Sequence, residues 1–306
     1  MIFSHILMCF LSYATIKNRR LWRKKYMKRK AYAKINISLD VIGKREDNYH
    51  LLKMIMQNID LYDEIDIKKV QEGITIRCNK SFVPVDERNL AYKAAKLFID
   101  TYNINEGVDI YINKNIPVSA GLAGGSTDCA AVLEILNKMF NVNANQKELM
   151  ELGVKLGADV PYCICKGTAL CEGIGEKITK LKPFRNQILV LVKPPFAVST
   201  KETYKAFDIN KAKIHPNTEK IIKYMSKNNL RAVCDNMKNL LENVTLRNNK
   251  SIIQIKRSMI NYGAVGSMMS GSGPTVFGFF DDMLKAQKCY DDMKKKYADT
   301  FITRTI

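Results

Sequence analysis

No apolar run in this 306-residue chain reaches the roughly 18–20 residues that a membrane-spanning helix needs, which excludes a multi-span membrane protein. Only three histidines occur, His5, His50 and His215, and no pair has metal-ligand spacing. The eight cysteines (Cys9, Cys78, Cys129, Cys163, Cys165, Cys171, Cys234 and Cys289) form no C-x-x-C pair. Their scatter argues against a disulfide framework or a zinc ribbon, and for reduced, mostly buried thiols in the cytosol. No Walker A loop and no G-x-G-x-x-G occurs. Internal repeats and low-complexity tracts are also missing.

What is present suits a globular protein. Hydrophobic residues make up 46% and charged residues 26%, and the length predicts two domains with a sizeable core. The net charge is +19, but residues 1–30 hold nine Lys/Arg and no Asp or Glu, so the remainder carries +10. A body of that charge suits a solvated basic surface, a polyanionic partner or an anionic small substrate, and charge does not choose among them.

Residues 2–16 are apolar and 17–30 basic, the reverse of a secretory signal. The segment is short for a membrane span and poor in the serines of a transit peptide; a weak anchor with a polybasic flank remains open. The organised pattern begins at Lys28, so the expectation is that Met27 is the start, that residues 1–26 lie outside the fold, and that the only tryptophan, Trp22, has no structural role.

Along the body, alternation and β-branched residues predict strands at 30–42, 52–67, 73–78 and 108–113. Helical spacing predicts helices at 88–103, at 128–140 (capped by Ser126 or Thr127) and at 146–156. Further strands are expected at 160–165, 167–171 and 187–193, then helices near 201–207, 217–226, 229–241 and 249–261. The chain closes with strands near 264–269 and 275–280, a helix at 283–296 and a strand at 300–305. Strands and helices mix without strict βαβ alternation, so the class is α+β, with a junction at Pro194-Pro195.

Five features could carry chemistry. The first is Pro117-Val118-Ser119-Ala120-Gly121-Leu122-Ala123-Gly124-Gly125-Ser126-Thr127, a small-residue loop opening a helix. Its glycines let backbone N–H groups approach an anion and the helix points its positive end there, which suits phosphate; a tight turn is the alternative. The second is the small-residue loop Ser270-Gly271-Ser272-Gly273-Pro274-Thr275, which reads equally as a hairpin turn. The others are Asp159 in Gly-Ala-Asp-Val-Pro, Lys34 within an apolar strand, and the pair Tyr49-His50 closing a polar turn, an aromatic pair suited to stacking on a ring.

Together and in this order these features resemble the GHMP kinases. The resemblance runs from about Lys28 to the C-terminus, and rests on PVSAGLAGGST and on SGSGPTVFG at 270–278. AYAKINISLDVIGKREDNYH, QNIDLYDEI and LGADVPYCICKGTALCEGIGE narrow it to the branch whose acceptor is 4-diphosphocytidyl-2-C-methyl-D-erythritol. The resemblance implies ATP- and Mg²⁺-dependent phosphorylation of that compound's 2-hydroxyl, in the non-mevalonate route to isoprenoids. It implies Asp159 as catalytic base and Lys34 as catalytic lysine, residues 117–127 as the ATP phosphate loop with Ser126 reaching Mg²⁺, and Asn36, Tyr49, His50 and Tyr204 as acceptor contacts. The implied fold has a domain like ribosomal protein S5 domain 2 over 27–182 and a ferredoxin-like domain over 183–306. The partners it implies are small molecules in the cytoplasm, with neither nucleic acid nor stable membrane insertion. Three departures from the family pattern stand out. Asn48 replaces a usual glycine before Tyr49, Thr127 a usual serine, and Ala123 a glycine. Homoserine kinase, the alternative within the superfamily, has no nucleobase for Tyr49-His50 to stack on.

Overall fold

A computed structural model describes residues 25–47 and 49–306. The expectations for residues 1–24, Trp22 and Asn48 lie outside the described residues.

Two long antiparallel strands, β1 (Tyr26–Lys44) and β2 (His50–Val70), form the spine. Tyr26 already pairs with Lys68. The larger sheet adds β3 (Ile74–Cys78), β4 (Gly107–Asn113), β5 (Thr168–Gly173), β6 (Lys177–Lys180) and the two-residue β8 (Lys238–Asn239). Its order is β3-β4-β2-β1-β8, with β5 pairing to β2 and β6 to β5. Helices α1 (Leu90–Thr101), α2 (Gly124–Met139), α3 (Gln146–Val154) and α4 (Val160–Cys165) accompany it.

The smaller sheet holds β7 (Ile188–Lys193), β9 (Gly266–Met269), β10 (Val276–Phe280) and β11 (Asp299–Arg304), all antiparallel, in the order β11-β7-β10-β9. With its strands counted in chain order this is 4-1-3-2, the ferredoxin-like arrangement. Helices α5 (Thr200–Ala206), α6 (Thr218–Ser226), α7 (Leu230–Asn236), α8 (Glu242–Asn248) and α9 (Lys250–Asn261) fall between β7 and β9, and α10 (Met283–Lys296) between β10 and β11.

The spine is buried on both sides, and β1 divides its apolar residues between two cores. Ala31, Leu39 and Val41 join the cluster that includes the buried side chains of α1 and α2. Ala33, Ile35 and Ile37 join the cluster containing Leu189, Leu191, Phe277 and Phe279 of the smaller sheet. A strand with period two cannot change faces unless its register slips. Slips against β2 occur at Tyr32/Lys34 and Asn36/Ser38, at the ends of that middle stretch. Within that stretch simple alternation makes Lys34 and Asn36 face opposite to Ala33, Ile35 and Ile37. They are buried polar residues in an otherwise apolar strand, at 4% and 0% exposure.

Three local expectations are corrected. Residues 160–165, expected as a strand, form α4. All six are buried and Pro161 sits in the first turn, where its missing N–H costs no helical bond. A short run buried all round carries no period to tell helix from strand. The expected helix 229–241 is interrupted at Met237, where the chain turns extended into β8. The buried Asn239 explains the break: its Nδ2 donates to the carbonyls of Met269 and Gly271, both at 2.8 Å, and β8 pairs with β1. Finally, neither Ser126 nor Thr127 caps α2. The helix starts earlier, at Gly124, behind Ala123 in the left-handed region (φ 59°), and has no side-chain cap.

Candidate active site

A cleft of about 1280 Å³ is lined by residues of both halves of the chain. Lys34, Asn36, Asp159, Tyr49, His50 and Tyr204 all line it, as does most of the loop 117–127. Leu122 and Thr127 do not; they are buried, at 1% and 3% exposure, and anchor the loop from behind.

The loop forms one end. Ser119, Gly121 and Ala123 all have positive φ (51°, 76° and 59°), so the chain coils tightly before entering α2. The first-turn N–H groups of α2 take no side-chain cap and carry the positive end of a 16-residue helix, an arrangement that favours an anion. The second small-residue loop clasps the first. Ser270 Oγ donates to the Gly121 carbonyl at 2.9 Å, and the Thr275 N–H to that of Ala120 at 3.3 Å. A side chain at residue 121 has no room, since a Cβ there would lie 2.2 Å from the Ser270 carbonyl oxygen.

Lys34 and Asp159 meet in the middle. Lys34 Nζ lies 3.5 Å from Asp159 Oδ2 and donates to Asn36 Oδ1 at 2.8 Å. The Lys34 backbone N–H donates to the Leu122 carbonyl at 3.2 Å, tying β1 to the phosphate-type loop. Asp159 immediately precedes α4, and its side chain is 32% exposed, so it is open to a ligand in the cleft. A buried cation beside a partly solvated carboxylate, next to an uncapped helix end that favours an anion, can bind a phosphoryl group and accept a hydroxyl proton.

The other end is aromatic. His50 stacks on Tyr204 of α5, with centroids 5.4 Å apart and planes at 29°, and meets Phe207 edge-on at 6.1 Å. Tyr49 is 60% exposed at the rim. Burial, helped by the Lys44 charge, lowers the His50 pKa from its usual value, so the ring is neutral at pH 7. Burial pushes the Tyr204 phenol up, leaving it a hydrogen-bond donor at any physiological pH.

Sequence reasoning missed Phe207, and it missed the charged group of Lys114 and Asp128, which line the cleft, and Asp63, which is buried behind them. Phe207, three residues after Tyr204, carried a helical-spacing signal. The charged group carried none, because its members come from three separate segments. Among the described residues no helix is long and apolar enough to cross a membrane, and no three His, Cys, Asp or Glu side chains group to hold a metal.

This is the architecture of a small-molecule kinase of the GHMP class: the GHMP kinases N terminal domain matches residues 89–167 and the GHMP kinases C terminal domain matches 216–299. The chain is 72% identical over 277 residues to the 4-diphosphocytidyl-2-C-methyl-D-erythritol kinase of Clostridium botulinum (strain Alaska E43 / Type E3), covering 90% of this chain and 99% of that one. It is 66% identical over 280 residues to that of Clostridium beijerinckii, covering 92% and 100%. A crystal structure of 4-(cytidine 5'-diphospho)-2C-methyl-D-erythritol kinase superposes with a TM-score of 0.79 at 28% identity, covering 91% of this chain and 99% of that one. The homoserine kinase from Cytophaga hutchinsonii superposes with a TM-score of 0.74 at 19% identity, covering 92% and 95%, and shares the fold alone. The chain belongs to the 4-diphosphocytidyl-2-C-methyl-D-erythritol kinase family. Its phosphoryl donor, as a member of a kinase family, is ATP.

Proposed function

We propose that this protein transfers the γ-phosphoryl group of ATP to the 2-hydroxyl of 4-diphosphocytidyl-2-C-methyl-D-erythritol, giving the 2-phosphate and ADP, in non-mevalonate isoprenoid synthesis in the cytoplasm. The observation that carries the reading is the order of parts along one cleft: an uncapped helix end, the Lys34–Asp159 pair 3.5 Å apart, and a stacked His50–Tyr204 pair. A homoserine kinase needs only the first two.

ATP phosphates lie at the loop 117–127, on the first-turn N–H groups of α2. The acceptor's cytosine takes the aromatic end, where Tyr204 or Tyr49 offers a face and His50 a ring nitrogen, and Asn36 contacts the sugar alcohol. Asp159 takes the proton from the attacking hydroxyl. Lys34 offsets the charge that spreads over the phosphoryl oxygens, in a reaction where catalysis is chiefly positioning and charge stabilisation. Mg²⁺ fits this donor set. The Ser126 hydroxyl in the first turn of α2 would hold the ion as a protein oxygen, and the ion when bound would neutralise phosphate charge. The division at residue 182/183 belongs to the same reading, with residues 27–182 carrying the phosphate loop and the Lys34–Asp159 pair.

The test is ³¹P NMR of the full chain with ATP, Mg²⁺ and the cytidyl acceptor. A new phosphomonoester signal on the acceptor, with ADP in equal amount, is expected. ADP with free inorganic phosphate alone would sink the transfer.

A further inference from the structure

Beneath the phosphate loop lies a second, deeper set of charges that the proposed reaction does not use. Lys114, just past β4, is 5% exposed and sits between two buried carboxylates. Its Nζ lies 2.5 Å from Asp63 Oδ2 of β2 and 2.6 Å from Asp128 Oδ2 of α2. Asp63 Oδ1 accepts the backbone N–H groups of Asn115 (2.6 Å) and Ile116 (2.8 Å).

These contacts bracket the loop 117–127. Residues 114–116 lead directly into Pro117, and Asp128 follows Thr127. Asp63 therefore holds the entry backbone, Lys114 bonds both to it and to Asp128, and Asp128 fixes the exit on α2. Lys114 also abuts the first turn of that helix, since a Cβ at Gly124 would come within 2.9 Å of Nζ. Lys114 is the one hydrogen-bonded partner of the Asp128 carboxylate among the described residues, and Asp128 Oδ1 is buried with none. Burial, reinforced by Asp63 and opposed by Lys114, raises the Asp128 pKa. A buried charged cluster is costly to assemble, and what it yields is geometric: one cation links three segments that must keep a fixed spacing.

We propose that Asp63, Lys114 and Asp128 are positioning residues, clamping both ends of the phosphate loop to β2 so that the first-turn N–H groups of α2 stand at the spacing ATP phosphates require. The clamp acts on the nucleotide half of the cleft and leaves the aromatic half alone. It rests on the ATP-kinase reading above.

The experiment measures Mg²⁺–ADP binding by calorimetry and KM for both substrates in the full chain and in three variants. Asp128→Ala removes the exit contact. ADP Kd and ATP KM are expected to rise about ten- to hundredfold, because a small misplacement of phosphate contacts costs that much, while acceptor KM stays near the parent value. Asp128→Asn keeps an oxygen for Lys114 and is expected to restore most of the affinity. Lys114→Arg keeps the charge but changes the reach and, once a thermal melt shows it folded, is expected to show the same nucleotide-only loss. Folded Asp128→Ala or Lys114→Arg with parental ADP affinity would overturn the clamp, as would equal rises in both KM values. A parent protein that binds no ADP would instead sink the kinase reading itself.

Discussion

Replacing Lys34 by Met separates catalysis from stability. Lys34 Nζ stands 3.5 Å from Asp159 Oδ2. At that distance two unit charges attract by about 5 kcal/mol at an effective dielectric of about 20. The Asp159 side chain is 32% exposed, so solvent screens part of this. A contribution of about 2–3 kcal/mol survives such screening. If it is needed only as charge builds on the phosphoryl group, its loss lowers kcat by about 30- to 150-fold. The fold should tolerate the change. Met fills the space of the 4% exposed lysine, and the carboxylate left behind still reaches water, so Tm should move by about 3 °C or less. The assay is ADP release at saturating ATP and acceptor, beside a thermal melt. A variant whose kcat stays within about threefold of the parent, at unchanged Tm, would refute the reasoning, since the cation would then contribute under about 1 kcal/mol.

Other expectations follow from the same geometry. Asp159→Asn keeps the shape but removes the proposed base; kcat is expected to fall by about 10²–10⁴ with ATP affinity by calorimetry little changed, and near-parental kcat would exclude Asp159 as base. The lowered His50 pKa fixes the sign of a pH effect. Below the usual 6.5 the folded state binds fewer protons than the unfolded one, so the His50 contribution to stability is full above that value and is lost as pH falls from it through the lowered folded-state pKa. Acceptor KM should accordingly be flat above pH 6.5 and rise only below it; a steady change between pH 8 and 7 would contradict a neutral ring. Gly121→Ala forces a Cβ to within 2.2 Å of the Ser270 carbonyl at φ 76°, and should cost about 2 kcal/mol or more in a denaturant melt while raising ATP KM. A neutral result would mean that the two glycine loops are not clasped in solution.

Legibility from sequence followed the range of the forces involved. β7 and β10 were readable as short runs of β-branched and aromatic residues, and α10 because its buried residues Ala286, Cys289 and Met293 keep a helical period. The six residues of α4 were not, because burial on every side erases the period. The break at Met237 depends on Asn239 reaching the Met269 and Gly271 carbonyls, partners about thirty residues away. Lys34 and Asn36 could be singled out as polar residues in an apolar strand. Their shared direction follows from the two-residue period, but which core the strand's apolar face meets depends on register slips against β2, which no window on β1 alone contains. The phosphate-type loop was readable down to its glycines, but its helix begins behind Ala123 rather than at a Ser or Thr cap. Asp63, Lys114 and Asp128 each pass for an ordinary surface charge until the fold brings them together.

The choice of acceptor is the most direct test of the proposed function. ADP release from ATP and Mg²⁺ is to be measured with the diphosphocytidyl-methylerythritol compound beside homoserine, mevalonate and galactose. Turnover with the cytidyl compound alone is the predicted result, since it alone carries a base for the His50–Tyr204 end of the cleft. Faster turnover with homoserine or another acceptor would keep the GHMP kinase and contradict the substrate.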